Sequence, residues 1–228
     1  MREHGRAILC LVTDRRRLSA RLGCELAAVD EPLLAQVGAA AAAGVDLVQI
    51  REGDLPAAAL AALTRRVVTR LRDSATRVLV NDRADVALAC HAHGVHLKAT
   101  SMSPRQARQV RRHAWLIGAS VHSVDLDRAQ GADYLIAGTL RPTPSKPSGA
   151  PLLGIHGLHR IAQAAHPIPV LGIGGLTADD VPALKQAGAA GLAGIEVFLP
   201  ASAAHLEESV HRAVARLRLA FDSSEYVS

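Results

Sequence analysis

Polar residues of catalytic type recur in this sequence directly after short apolar runs. The stretches are Gln49-Ile50-Arg51-Glu52, Asn81-Asp82-Arg83, Lys98-Ala99-Thr100-Ser101, Ser120-Val121-His122-Ser123, Pro142-Thr143-Pro144-Ser145-Lys146-Pro147, Gly172-Ile173-Gly174-Gly175 and Glu196. His122 is flanked by Val121 and Ser123. A histidine in such a place can move a proton near neutral pH, which contributes roughly 100- to 10,000-fold in rate. A hydrogen-bonded structural histidine fits the same place. Gly174 and Gly175 impose no Cβ clash, so their N–H groups can approach an anion, and the N-terminus of a following helix would add a favourable dipole. A plain tight turn needs the same residues. Thr143, Ser145 and Lys146 supply two hydroxyls and an ammonium in a loop stiffened by prolines, which suits an oxyanion. Asp82 alone is a weak Mg²⁺ site unless phosphate oxygens complete the shell. His91, His93 and His96 have metal-like spacing, but His96 lies in a strand-like run and the other two end a helix, so no metal site is predicted.

The elements that must position these residues are periodic. Short apolar runs rich in β-branched residues occur at 7–12, 45–50, 77–80, 94–97, 115–119, 133–137, 168–173 and 191–195. Each is bounded by turn residues and is apolar throughout, which predicts parallel strands covered on both faces. Helical spacing fills the intervals: Leu33, Leu34 and Val37 begin one helix, and Leu60, Leu63, Val67, Val68 and Leu71 line another. Ser103-Pro104 reads as an N-cap followed by proline at the first helical position. Thr177 with Asp180 reads as a helix start that Gly188 ends, and a last helix is predicted over 203–221. Eight strand–helix alternations predict an α/β fold, a single (β/α)8 TIM barrel over residues 1–221, with 222–228 a flexible tail. An open doubly wound sheet is the alternative, but no G-x-G-x-x-G follows the first run. In a barrel, residues just after strands share the C-terminal face, which gathers the polar stretches above into one place.

Composition narrows the class. Among 228 residues there are two Phe, two Tyr and one Trp, so Ala, Val, Leu and Ile must fill the core. Three cysteines without C-x-x-C spacing predict a reducing compartment, and with no long apolar run and no signal peptide the expected location is the cytoplasm, away from any membrane. Only Lys98, Lys146 and Lys185 among the 26 basic residues are lysines. Arginine runs such as Arg15–Arg17 are expected on solvated surface. Nucleic-acid binding is not expected, because basic residues are not interleaved with aromatics.

From Leu11-Val12-Thr13-Asp14 to Phe198 the sequence resembles the thiamine phosphate synthase/TenI superfamily of barrels. The resemblance rests on Gln49-Ile50-Arg51-Glu52, Asn81 to Ala87, Gly94 to Leu97, Gly118 to Ser123, Gly131 to Tyr134, Pro142 to Lys146 and Ile173 to Leu176, in order. It implies a small phosphorylated thiazole as substrate and a homodimer. The synthases join a pyrimidine methyl diphosphate to a thiazole phosphate and release pyrophosphate with Mg²⁺; the TenI-like tautomerases aromatise a thiazole phosphate carboxylate by proton transfer without it. Two departures from the synthase pattern favour the second branch. Gly53 replaces a lysine that helps hold the diphosphate, and Lys98-Ala99-Thr100-Ser101 replaces Gly-Gln-x-Asp, whose Asp is a second Mg²⁺ ligand. The expected function is therefore a TenI-like thiazole tautomerase, an isomerase without cofactor. His122 would be catalytic; Gln49, Arg51, Asn81, Ser120, Thr143, Ser145, Lys146, Gly174 and Gly175 would bind substrate. A Mg²⁺-using synthase and a non-catalytic precursor-binding barrel are the alternatives. Glu196, where many members have a phosphate-contacting serine, is unfavourable beside a phosphate unless it is turned away or paired.

Overall fold

A computed structural model describes residues 6–110, 115–143, 149 and 151–223. Eight parallel strands form a closed barrel in sequence order: β1 (Ile8–Val12), β2 (Leu47–Ile50), β3 (Arg77–Asn81), β4 (Gly94–Leu97), β5 (Leu116–Val121), β6 (Tyr134–Gly138), β7 (Val170–Ile173) and β8 (Gly191–Gly194). All eight predicted runs become strands. The ring closes where β1 pairs with β8, in register from Ile8↔Gly191 to Leu11↔Gly194. Among the described residues, eight α-helices accompany them: α1 (Arg15–Leu22), α2 (Asp30–Ala42), α3 (Ala57–Arg70), α4 (Ala84–Ala89), α5 (Pro104–Val110), α6 (Gly154–Ala165), α7 (Val181–Gln186) and α8 (Leu206–Asp222). The alternation departs from regularity twice. Two helices follow β1, whereas β5 and β6 are joined only by a 3₁₀ turn at Asp127–Ala129. The last helix starts at Leu206, later than predicted.

Strand alternation divides the core into two layers. Ile8, Cys10, Val12, Leu47, Leu79, Tyr134, Ile136 and Leu171 fill the barrel interior. Leu9, Leu11, Val48, Ile50, Val78 and Val80 face outward onto the helices. The scarcity of aromatics follows: in this narrow interior Tyr134 is fully buried and is accommodated by Gly118, its register partner. A Cβ on Gly118 would stand 2.2 Å from the Tyr134 ring and 2.5 Å from His96 Nδ1.

Both predicted helix starts are capped. Gln106 N–H donates to Ser103 Oγ while Ser103 N–H donates to Gln106 Oε1, and Thr177 with Asp180 forms a reciprocal capping box. At the strand N-termini, buried Arg218 of α8 donates to Gly44 O and to Asp46 Oδ2, both at 2.6 Å. Asp46 Oδ2 also accepts Leu9 N–H at 2.7 Å, which ties α8 to β1 and β2.

Glu52, just beyond β2, is structural. Its carboxylate accepts Arg15 N–H at 3.1 Å, fixing the start of α1 against the β2 loop. Burial outweighs the nearby Thr13 and Arg15 donors and pushes its pKa up from 4.5 to about 7. The folded chain therefore binds more protons than the unfolded chain between those values, so this stabilisation is complete below about pH 4.5 and is lost as pH rises through about 7.

Two outcomes are expected. Gly118→Ala destabilises by about 2–3 kcal/mol through overpacking and lowers Tm by roughly 5–10 °C in a thermal melt. Between pH 5 and pH 8 the wild type loses on the order of 2 kcal/mol relative to Glu52→Gln, so the Tm difference between the two shifts by several degrees across that interval.

Candidate active site

A cavity of about 390 Å³ opens at the C-terminal ends of the strands. Gln49, Arg51, Asn81 and Ser120 line it, and so do His122, Thr143, Gly174 and Gly175. These eight predicted site residues, scattered over some 125 positions of chain, thus meet in one place. Ser145 and Lys146 lie outside the described residues.

The cavity floor is the last inward-facing layer of the barrel. Gln49 Nε2 donates to Asn81 Oδ1 at 2.8 Å, linking β2 to β3. Gln49 Oε1 is buried and finds no partner among the described residues, which leaves an acceptor for a ligand donor. His96 is fully enclosed in β4, with Nε2 2.9 Å from Ser120 Oγ and Nδ1 3.1 Å from the Tyr134 hydroxyl. Burial drives its pKa down to about 3 against an upward pull from Asp82, so the ring is neutral. His96 is thus a scaffold group that orients Ser120. His93 is also committed, since its Nδ1 accepts Val78 N–H at 3.0 Å.

His122 stands on the rim beyond β5. Its Nδ1 lies 2.5 Å from Gly138 O, which can only accept, so Nδ1 carries the proton. Across the cavity, Gly174 and Gly175 have φ of +105° and +63°. A Cβ on Gly174 would meet Thr139 Cγ2 at 2.5 Å and one on Gly175 would meet Pro142 O at 2.3 Å, so only glycine lets the β7 loop press this close. A 3₁₀ turn at Ala178–Asp180 leads from this loop into α7. The turn after Gly175 is closed by its own side chains, with Thr177 N–H donating to Asp180 Oδ2 at 2.9 Å, and α7 has only six residues.

The charged wall differs from expectation in its arginines. Arg15–Arg17 is not a uniformly solvated run: Arg15 is buried against Glu52, and Arg17 lines the cavity. The strand-end position of this run, just after β1, was the signal for it. Glu196 also lines the cavity, but Arg17 Nη1 stands 3.4 Å from its carboxylate and Arg21 Nη2 bonds its other oxygen, so its charge is neutralised from α1. Gly53 lies off the cavity wall, and a Cβ there would meet open space.

Asp82 comes directly after β3. This residue adopts φ +61°, with its N–H donating to His96 O at 2.8 Å. Lys98 Nζ lies 2.8 Å from Asp82 Oδ2 and the Ser101 hydroxyl donates to Oδ1. Burial pulls the Asp82 carboxyl upward, but the Lys98 and Ser101 donors outweigh it and hold the group below its usual range. Mg²⁺ prefers several oxygen ligands in octahedral array. One carboxylate already engaged by an ammonium and a hydroxyl does not fit the two-carboxylate Mg²⁺ site of the synthase pattern.

Residues 9–198 match the family model described as thiamine monophosphate synthase. The chain is 36% identical over 200 residues to the thiamine-phosphate synthase of Roseiflexus castenholzii, covering 86% of this chain and 83% of that one. It is 37% identical over 196 residues to the thiamine-phosphate synthase of Azorhizobium caulinodans, covering 85% and 87%. Among solved structures, thiamine phosphate pyrophosphorylase from Pyrococcus furiosus superposes with TM-score 0.74 at 30% identity over 94% of this chain and 95% of that one. These relatives carry the transferase name, which overturns the expected tautomerase and its isomerase class. The physical reason is visible in the cavity. The departures that argued against a synthase were counted as a lost diphosphate cation and a lost metal ligand, whereas Lys98 supplies a cation beside Asp82. The chain belongs to the thiamine monophosphate synthase family.

Proposed function

We propose that the barrel is a thiamine-phosphate synthase, joining a pyrimidine methyl diphosphate to a thiazole phosphate with release of pyrophosphate. The observation that carries this reading is identity of 36–37% with synthases along more than four-fifths of the chain. The cavity supports it with a polar floor, an apolar wall that includes Val12, Ile136 and Ile173, and a rim bearing Arg51, Lys98 and the two glycines.

The residues divide between two substrates. Gln49 Oε1 accepts from a donor on the pyrimidine ring, and the Gln49–Asn81 bond holds the amide in the ring plane. Arg51 and Lys98 bring positive charge to the diphosphate. Gly174 and Gly175 let backbone N–H groups approach the thiazole phosphate, with Thr143 beside them. His122 takes a different role from the proton shuttle expected of a tautomerase. The thiazole ring nitrogen attacks with its own lone pair and has no proton to lose, so His122 contacts and orients substrate through Nε2. Binding both substrates in one cavity turns a bimolecular displacement into a positioned one.

The test is incubation of purified protein with both phosphorylated substrates, with and without Mg²⁺, followed by mass spectrometric detection of thiamine phosphate. Product formation is expected. Gln49→Ala should lower kcat/KM about 10- to 100-fold through a lost buried acceptor, alongside a fall of a few degrees in Tm because Asn81 loses its partner. No thiamine phosphate in either condition, or a Gln49→Ala enzyme as fast as wild type, defeats the reading in whole or in its pyrimidine subsite.

A further inference from the structure

The synthases that the sequence resembles hold Mg²⁺ between two carboxylates. This chain has Asp82 for the first and Ser101 where the second stands. The β4 loop fills the difference: Lys98 Nζ lies 2.8 Å from one Asp82 oxygen, and the Ser101 hydroxyl bonds the other. Two carboxylates with a divalent ion carry no net charge, and one carboxylate with one ammonium carries none either. Replacing the second carboxylate by a hydroxyl and introducing a lysine therefore preserves the local balance with the divalent ion left out. Lys98 is also placed to meet a ligand. Its side chain is 56% exposed and lines the cavity, and an ammonium has three donors of which the Asp82 oxygen takes one.

We propose that Lys98 is the resident cation of this site: held by Asp82, its ammonium binds the substrate diphosphate and stabilises the departing pyrophosphate, the task of Mg²⁺ in the resembling synthases. The inference rests on the synthase reading. In the step it serves, the bond between the pyrimidine methylene carbon and the diphosphate oxygen breaks, and its electron pair leaves with pyrophosphate. The lone pair of the thiazole nitrogen forms the new C–N bond, so atoms and charge balance without proton transfer. The negative charge that grows on the leaving oxygen is met by an ammonium in a partly enclosed site, where such stabilisation is effective. Asp82 is a positioning residue here, since it aims Lys98 and touches no reacting atom.

Two measurements decide the matter. Inorganic pyrophosphate is titrated calorimetrically into wild type, Lys98→Ala and Lys98→Arg in EDTA. The wild type should bind without divalent ion, Lys98→Ala should bind at least about tenfold more weakly, as loss of a charge-assisted hydrogen bond implies, and Lys98→Arg should stay within about threefold of wild type. In turnover, the wild-type rate in EDTA should remain within about twofold of that in Mg²⁺, whereas the Lys98→Gly, Ser101→Asp double variant should lose at least about tenfold in EDTA. Pyrophosphate binding by the wild type only when Mg²⁺ is present, unchanged binding by Lys98→Ala, or a hundredfold fall of wild-type turnover in EDTA overturns the proposal. Failure to form thiamine phosphate under every condition defeats the synthase reading instead, and the pyrophosphate titration still decides the role of Lys98.

Discussion

Closure of the sheet governs everything else in this molecule. A ring of eight parallel strands has no free edge, so each residue of a strand faces either the interior or the helices. Polar side chains can enter the interior only if they bond one another. The floor of the cavity meets that condition through the Gln49–Asn81 pair and the Ser120–His96–Tyr134 chain. Tyr134 reaches His96 because Gly118 leaves the space for its ring. A neutral, fully bonded histidine at this depth gives the site a fixed base, and the mobile chemistry is left to the charged rim above it.

Much of the architecture was legible in the chain. Buried parallel strands announce themselves as compact β-branched runs between turns, and all eight are found where those runs lie. The strand-end rule then assembled Gln49, Asn81, Ser120, His122 and the Gly174-Gly175 loop into one cavity. What escaped was information carried by distance in space. The link from β5 to β6 is only a 3₁₀ turn although it is as long as the link that carries α4. Arg15 and Arg17 looked like surface: their strand-end position pointed to the mouth, but their partners Glu52 and Glu196 lie 37 and 179 positions away along the chain.

The choice between the two branches shows the same limit. Reading along the chain, a glycine for a lysine and a serine for an aspartate register as two losses. In three dimensions the second coincides with a new ammonium on the same carboxylate. Electrostatic fitness belongs to a volume of space, and a residue-by-residue comparison with a motif does not integrate over that volume. His96 illustrates the converse: a spacing suggestive of metal ligation resolves into a hydrogen-bonded interior group once its neighbours from β5 and β6 are in place.

The contact of Glu196 with Arg17 and Arg21 joins the first helix to the end of the last strand, across 179 and 175 positions of sequence. Until β8 has docked beside β1, Arg17 has Asp14 as a counterion and Arg21 lacks the carboxylate of Glu196. During synthesis the N-terminal arginines emerge long before their glutamate does. A nascent chain that has formed most of the sheet would thus present a mouth more electropositive than that of the folded protein. The charge of the mouth is in this way coupled to completion of the ring.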